Sequence, residues 1–265
     1  MKRIINDNSI EIFMPAGDGC FKFELRRIAI PFTDGGTRQN QDLWRLYELY
    51  LYDKEGNNKI YDFPVCNKGE WELAVKIKDT PDFHGGYHGY EHLTDFGYTV
   101  NEGSFEFFQD SKIYLQGTRD THIADHKKRY VFENGKLTLT QYVKWHKTLP
   151  VDRSFITMLP VRRNDGDFQI TDTAVLNGVE YDVSHENHAF PLDNKNVRTA
   201  SIYGKKSGIR MSVSVDFDNL FFVQNTPAYN KFYFKNAYER DVIAGEEWNT
   251  KSVYAFEWRK NNDTL

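Results

Sequence analysis

Residues 129–147 read RYVFENGKLTLTQYVKWHK, with side chains alternating in character on either side of Asn134-Gly135. A period of two puts successive side chains on opposite faces of a strand. Asn-Gly supplies the two positive φ angles of a type I′ turn, so the segment is expected to form a β-hairpin. Leu137, Leu139, Val143 and Trp145 share one face; Thr138, Thr140, Tyr142, Lys144 and His146 share the other. A second Asn-Gly, at 177–178, separates Val175-Leu176 from Val179, Tyr181 and Val183 and reads the same way.

The same alternation recurs at 21–30, 70–77, 104–108, 112–116, 155–162, 209–217, 221–224, 231–235 and 252–259. Turn-rich breaks such as DKEGNN, RNDGD and LDNKN separate the runs. Residues 43–52, LWRLYELYLY in part, fit a helical stripe as well as a strand buried on both faces. The DKEGNN turn that follows favours the strand. The 20 Phe, 16 Tyr and 5 Trp outnumber Ala and Leu together, a composition suited to a pleated, half-buried surface. Many short strands with frequent turns indicate an all-β fold. The expectation is an antiparallel β-sandwich of jelly-roll or super-sandwich type, with few or no helices. It would occupy residues 1–265 as a single domain. A closed barrel or cupin-like jelly roll is the runner-up.

Several function classes lose support. The net charge is −4, with no basic footprint for duplex nucleic acid. No apolar run approaches the roughly 18 residues of a membrane-spanning helix. The beginning, MKRIINDNSIEIFMP, has no apolar core or cleavage site of a signal peptide, so the expected location is cytoplasmic, virion-associated or a mature exported form. Cys20 and Cys66 cannot make a disulfide framework and read as free buried thiols. No GxSxG elbow, Walker loop or GxGxxG after a strand is present.

The chemistry-bearing residues cluster. Residues 79–98, DTPDFHGGYHGYEHLTDFGY, hold His84, His88 and His92 with Asp82, Glu91 and Asp95, interleaved with Tyr87 and Tyr90. Gly85, Gly86 and Gly89 argue against regular structure there and let backbone approach a ligand closely. HGGYH is not expected to be helical, so it does not match the HExxH zinc pattern, and no cupin HxH motif occurs. No cofactor or metal is expected; a divalent ion held by histidines is left open. Residues 117–130, GTRDTHIADHKKRY, bring Arg119, His122 and His126 into a segment suited to anions. Tyr142, Lys144 and His146 follow on one strand face. Arg162 and Arg163 end the apolar run FITMLPV, where a guanidinium fork could match a carboxylate. His185 and His188 lie in SHENHAF, read as a surface loop.

Aromatic faces stack on sugar rings and polar strands hydrogen-bond hydroxyls, so a polysaccharide is the expected partner, with no nucleic acid and no membrane. A β-sandwich with this His/Gly/Tyr-rich loop, the Arg/His strand and the late segment IAGEEWNTKSVYAFEW resembles the polysaccharide lyases of sandwich or super-sandwich type. It is also similar to phage depolymerase-like enzymes and galactose-mutarotase-like sandwiches. The resemblance implies β-elimination on a uronate-containing chain, with His and Tyr as acid and base and Arg neutralising the carboxylate. The RTELR-like strand and QIH triplet of the alginate lyase family are missing. On this reading His84, His88, His126, Tyr142 and Arg119 are catalytic. Tyr87, Glu91, His92, His122, Lys144, His146 and Arg162 bind substrate. The alternatives are a glycoside hydrolase or mutarotase-like sugar enzyme, and a non-catalytic carbohydrate-binding or virion-attachment module.

Overall fold

The Asn134-Gly135 hairpin forms as its sequence directs. In the computed structural model the two residues have φ of 50° and 72°, and the flanking strands pair from Glu133↔Lys136 to Ala124↔Trp145. Asn177 and Gly178 make the second turn, with φ of 48° and 86°. The structure describes residues 1–32, 40–63, 70–118, 120–186 and 195–260.

In chain order the strands are β1 (Lys2–Asn6), β2 (Ser9–Ala16), β3 (Gly19–Ile30), β4 (Gln41–Asp53), β5 (Lys59–Phe63), β6 (Ala74–Ile77) and β7 (Phe83–His84). Then come β8 (Glu91–Val100), β9 (Ser104–Tyr114), β10 (His122–Glu133), β11 (Lys136–Trp145), β12 (Leu149–Arg162), β13 (Asn164–Asp165) and β14 (Phe168–Gln169). The last are β15 (Thr173–Leu176), β16 (Val179–Asp182), β17 (Thr199–Tyr203), β18 (Ile209–Val215), β19 (Leu220–Asn225), β20 (Tyr229–Val242) and β21 (Glu247–Trp258). A 3₁₀ turn at Gly86–His88 is the one helical element among the described residues, none of which form a helix long and apolar enough to cross a membrane.

Fourteen strands form the large sheet, in the order β1-β2-β3-β4-β8-β9-β10-β11-β21-β18-β17-β15-β16, with β5 added beside β4. Its pairings are antiparallel except β4 with β8, which meet in parallel at Gln41↔Glu91 and Asp42↔His92. A smaller sheet, β19-β20-β12-β6-β7, covers one face of it. The large sheet curls far enough for Gly17, at the end of β2, to bridge Trp258 of β21. A Cβ at Gly17 would lie 2.1 Å from the Trp258 carbonyl oxygen, so only glycine allows that approach.

Alternation sorts the faces. On β9, Phe105, Phe107, Gln109, Ser111 and Ile113 point inward; on β21, Trp248, Thr250, Ser252, Tyr254, Phe256 and Trp258 do. Phe105, Phe107, Tyr254, Phe256 and Trp258 share a core with Leu159, Val161, Phe221, Val223, Phe232 and Phe234 of the smaller sheet, and Ile113 and Trp248 a second with Val151, Ile156, Ala237 and Val242. The protein is thus an all-β sandwich, as its patterning implies. Residues 43–52 belong to strand β4, with Leu43, Trp44, Leu46, Leu49 and Leu51 buried on both of its faces.

Other boundaries differ from the sequence expectation. The runs at 104–108 and 112–116 are one strand, β9, because Gln109 and Ser111 are polar yet face inward and satisfy buried partners. The strand expected from residue 70 starts at Ala74; Glu70 to Leu73 form a buried turn instead. Within the 117–130 segment, strand β10 begins at His122. Cys20 is a buried free thiol, whereas Cys66 lies outside the described residues.

Candidate functional site

The outer face of the smaller sheet carries the aromatic groups that alternation turns away from the core. Phe222 and Gln224 lie on β19, Lys231, Tyr233 and Lys235 on β20. On β12 the pairing skips Ile156, with Phe155↔Lys235 followed by Thr157↔Phe234. This bulge keeps Ile156 and Thr157 inward and puts Phe155 and Met158 on the outer face. Phe155 packs against Tyr233 at 4.6 Å between ring centroids and against Phe83 at 5.9 Å; Phe222 meets Tyr233 at 5.5 Å. The Tyr233 hydroxyl donates to Gln224 Oε1 at 2.7 Å. Together they floor a cavity of about 210 Å³, with Glu70, His88 and Arg153 at its lip.

His88 reaches the cavity by way of the glycine-rich turn. Gly85 and Gly86 have φ of 87° and 50°. Glu91 Oε2 accepts the Gly86 N–H at 2.6 Å, and Gln41 Nε2 donates to the Gly86 carbonyl at 2.6 Å. So pinned, the turn presents His88 between two carboxylates. Its Nε2 is 3.1 Å from Glu70 Oε1, and its Nδ1 is 3.3 Å from Asp82 Oδ1. Lys231 binds the other Glu70 oxygen. Burial alone would lower the His88 pKa, but Asp82 and Glu70 outweigh it and raise it above the ordinary value. The Phe83 ring lies 4.9 Å from the imidazole. The site therefore pairs a proton donor and adjacent carboxylates with an aromatic floor.

Behind the turn, between the sheets, lies an enclosed ionic network. Lys128 Nζ donates to Glu72 Oε1 at 3.0 Å and lies 3.5 Å from Glu91 Oε1. Tyr130 donates to the other Glu72 oxygen. Glu91 also accepts from Ser111 Oγ at 2.5 Å and faces His126 Nδ1 at 2.9 Å. His126 Nε2 faces Gln141 Oε1 at 3.2 Å. Burial would raise the Glu91 pKa; Lys128 and His126 hold it far below the usual carboxylate range instead. These side chains are closed off from solvent, as buried charges that are paired and hydrogen-bonded can be.

The outer face of the large sheet carries a third group. His92, Tyr114, His122 and His146 form a row across β8, β9, β10 and the end of β11, with ring centroids 5.7, 5.9 and 4.6 Å apart. Asp125 lies against both His122 and His146, at 2.9 and 2.8 Å. Further along, Tyr142 borders a shallow trough of about 460 Å³, while Lys144 pairs with Glu247 at 3.3 Å.

The residues singled out in the sequence therefore do not share one groove. His88 is in the smaller-sheet cavity, with Tyr87 beside it at 5.5 Å between rings and Arg45 over the Tyr87 face at 5.3 Å. His84 is fully buried: its Nδ1 donates to the Val75 carbonyl at 3.2 Å, and its Nε2 accepts the Gln116 N–H at 2.9 Å. Glu91 and His126 belong to the enclosed network and cannot touch a substrate in this structure. His92, His122, Tyr142, Lys144 and His146 face outward on the large sheet. Arg162 sits at the end of β12, 3.7 Å from Asp165. Arg119, like His188, lies outside the described residues. Sequence reading missed Glu70, Phe83, Arg153, Phe155 and Tyr233. These residues span positions 70–233 and meet through sheet pairing and the Glu70–Lys231 ion pair; the alternating runs at 70–77, 155–162 and 231–235 hold three of them but do not say that they meet.

No family model matches the sequence, and no curated protein matches it. Solved structures share the fold. The α-galactosidase AgaB of Geobacillus stearothermophilus aligns with 98% of this chain at 9% identity and a TM-score of 0.51; the chain spans 41% of it. A heparan sulfate lyase HepC mutant from Pedobacter heparinus aligns with 98% at 7% identity and a TM-score of 0.50, and 37% of it is covered. A putative aldose 1-epimerase from Escherichia coli K12 aligns with 95% at 9% identity and a TM-score of 0.49, over all of its length. The chain is thus well under half the length of the galactosidase and lyase it resembles. The fold is one that carbohydrate-active enzymes use.

Proposed function

We propose that the protein is a sugar-processing enzyme whose proton transfers run through His88 and its two carboxylates. One observation carries this reading: an imidazole held between Glu70 and Asp82 at the lip of a cavity floored by Phe83, Phe155, Phe222 and Tyr233. An aromatic floor offers a sugar ring a flat face for its C–H groups. Chemistry at an anomeric centre needs a proton given to one oxygen and taken from another. A charged His88 supplies the donor, and the carboxylate beside it supplies the acceptor. The favoured reaction is anomer interconversion or glycoside hydrolysis. The named activities of the neighbouring structures, on galactosides and heparan sulfate, agree with a sugar substrate.

Lyase action on a uronate is the second reading, and Arg153 favours it. Its guanidinium lies 5.7 Å from the Phe83 ring centroid, where it could neutralise a sugar carboxylate and acidify the adjacent C–H. One panel separates the readings. Fresh α-anomers of common aldoses are followed by NMR, glycosides by reducing-end release, and uronate polymers by the ultraviolet absorbance of the new C4–C5 double bond. Anomer interconversion or reducing-end release that is lost in His88→Gln supports the first reading; double-bond absorbance supports the second. No turnover on any substrate by folded protein overturns both.

A further inference from the structure

The row of rings on the large sheet ends in a group that the proposed sugar site does not use. His122 and Asp125 are three residues apart, and on a regular strand they would point to opposite faces. The β9–β10 pairing breaks between His122↔Tyr114 and Ala124↔Ile113. This bulge buries Ile123 and Ala124 together and brings His122 and Asp125 onto the same outer face. His146, just past the end of β11, is held in place by donation of its backbone N–H to the Ile123 carbonyl at 2.8 Å. Two neighbouring strands thus deliver two imidazoles to one carboxylate.

The distances are those of hydrogen-bonded His–Asp pairs, close to the spacing of a ligand set. His122 Nε2 lies 2.9 Å from Asp125 Oδ1, and His146 Nε2 lies 2.8 Å from Asp125 Oδ2. One ligand atom from each of the three residues falls within 4.8 Å of the others. The His122 Nε2 atom is itself buried, with Asp125 as its close neighbour. One carboxylate thus faces two imidazole nitrogens, an arrangement in which a bound ion can take the place of the intervening protons. Bonds of about 2.0–2.1 Å to a tetrahedral ion separate the donor atoms by roughly 3.3 Å, so the side chains need to part by less than an ångström.

We propose that His122, Asp125 and His146 bind one divalent transition ion of the zinc class. The donor set decides the class: two imidazoles suit zinc, cobalt and nickel, whereas calcium and magnesium take oxygen ligands. Three protein ligands leave a coordination position open, and half-exposed His122 and exposed His146 direct it to solvent. Lys144 and Lys112 lie opposite Asp125 in the two neighbouring strands, and Glu247 offsets the Lys144 charge at 3.3 Å. The ion would tie the start of β10 to the end of β11 and put a Lewis acid on the sheet face that also carries Tyr142.

The test uses the full chain stripped with a chelator. Zn²⁺ is titrated by calorimetry, and Co²⁺ by its visible d–d absorption, which reports coordination without any enzymatic readout. One ion per chain is expected, with Mg²⁺ and Ca²⁺ giving no saturable signal. His122→Ala and His146→Ala should each weaken binding by about tenfold or more, and the double variant should abolish it. His92→Ala, in the same row but beyond Tyr114, should leave it unchanged. Circular dichroism of the metal-free variants checks the fold, and Asp125→Asn provides a near-isosteric variant should an alanine variant fail to fold. Absence of one-to-one binding in the wild type overturns the proposal and leaves a hydrogen-bonded His–Asp–His cluster only. Binding that survives in the double variant, or in Asp125→Asn, or that is lost in His92→Ala, overturns it as well.

Discussion

The Nε2 atom of His88 lies 3.1 Å from Oε1 of Glu70, while Lys231 holds the other oxygen of the same carboxylate. Glu70 thus keeps two cations at once, and it is one of the groups that raise the His88 pKa. Glu70→Gln removes that support. The His88 cation should then lose its proton at lower pH, and the alkaline limb of the pH–rate profile should move toward acid. A profile identical to wild type would detach Glu70 from the chemistry.

His88→Gln keeps a polar side chain of similar reach but cannot shuttle a proton. Loss of a general acid–base group costs about 10²–10⁴-fold in turnover. The variant should fall by that factor on whichever sugar the wild type turns over, under conditions where a melting curve shows it folded. Steady-state kinetics beside a melting curve measures both.

Phe83→Ala opens the cavity floor. The ring contacts His88, Phe155 and Arg153, yet it is only partly buried. An aromatic partner of this kind contributes about 1 kcal/mol beyond its buried area, so sugar affinity should weaken roughly fivefold or more. Isothermal titration with the substrate, or a product that binds, reads the loss. Undiminished affinity would place the sugar elsewhere.

Lys128→Met tests the enclosed network. The substitution leaves Glu72 and Glu91 buried without their shared cation. Removing one partner of a buried pair costs about 3–5 kcal/mol, to be seen as a drop in the urea midpoint. A stability within error of wild type would show that Tyr130, Ser111 and His126 satisfy both carboxylates unaided.

Local rules made the strands legible. Asn134-Gly135 and Asn177-Gly178 dictate their turns because few residues accept positive φ twice in succession, and the alternation beside them survives because one face meets the core. Site membership was not legible, for two physical reasons. Polar residues such as Glu91, His126 and Lys128 look like surface groups until their partners, up to 56 residues away, close around them. Arg153 and Tyr233 come together through the pairing of β12 with β6 and β20, Glu70 joins them from the turn before β6 by binding Lys231 of β20, and such partners have no local signature. His122 and Asp125 are a subtler case: spacing alone puts them on opposite faces, and only the bulge reverses that.

His84 makes stability depend on pH, with a sign that can be worked out. Burial among apolar neighbours, only partly offset by the Val75 carbonyl, lowers its pKa from the ordinary 6.5 to about 4. Above pH 6.5 the imidazole is neutral in both folded and unfolded chains, and its contribution is fully present. Between 6.5 and 4 the unfolded chain takes up the proton and the folded one does not, so stability falls as pH falls. The gap is worth roughly 3 kcal/mol by pH 4. His88, raised in the folded state, acts oppositely: its stabilisation is complete below 6.5 and fades as pH rises through its folded pKa. Carboxylates titrate over part of the same range, so the measurement is a difference. His84→Gln can still donate to Val75 and accept from Gln116, but it does not titrate. The stability of the wild type relative to His84→Gln should decline steadily from pH 6.5 to pH 4 in urea unfolding, with His88 and the carboxylates cancelling. A difference independent of pH would mean that His84 is protonated as readily in the folded chain as in the unfolded one, and that its hydrogen bonds to Val75 and Gln116 do not hold it neutral.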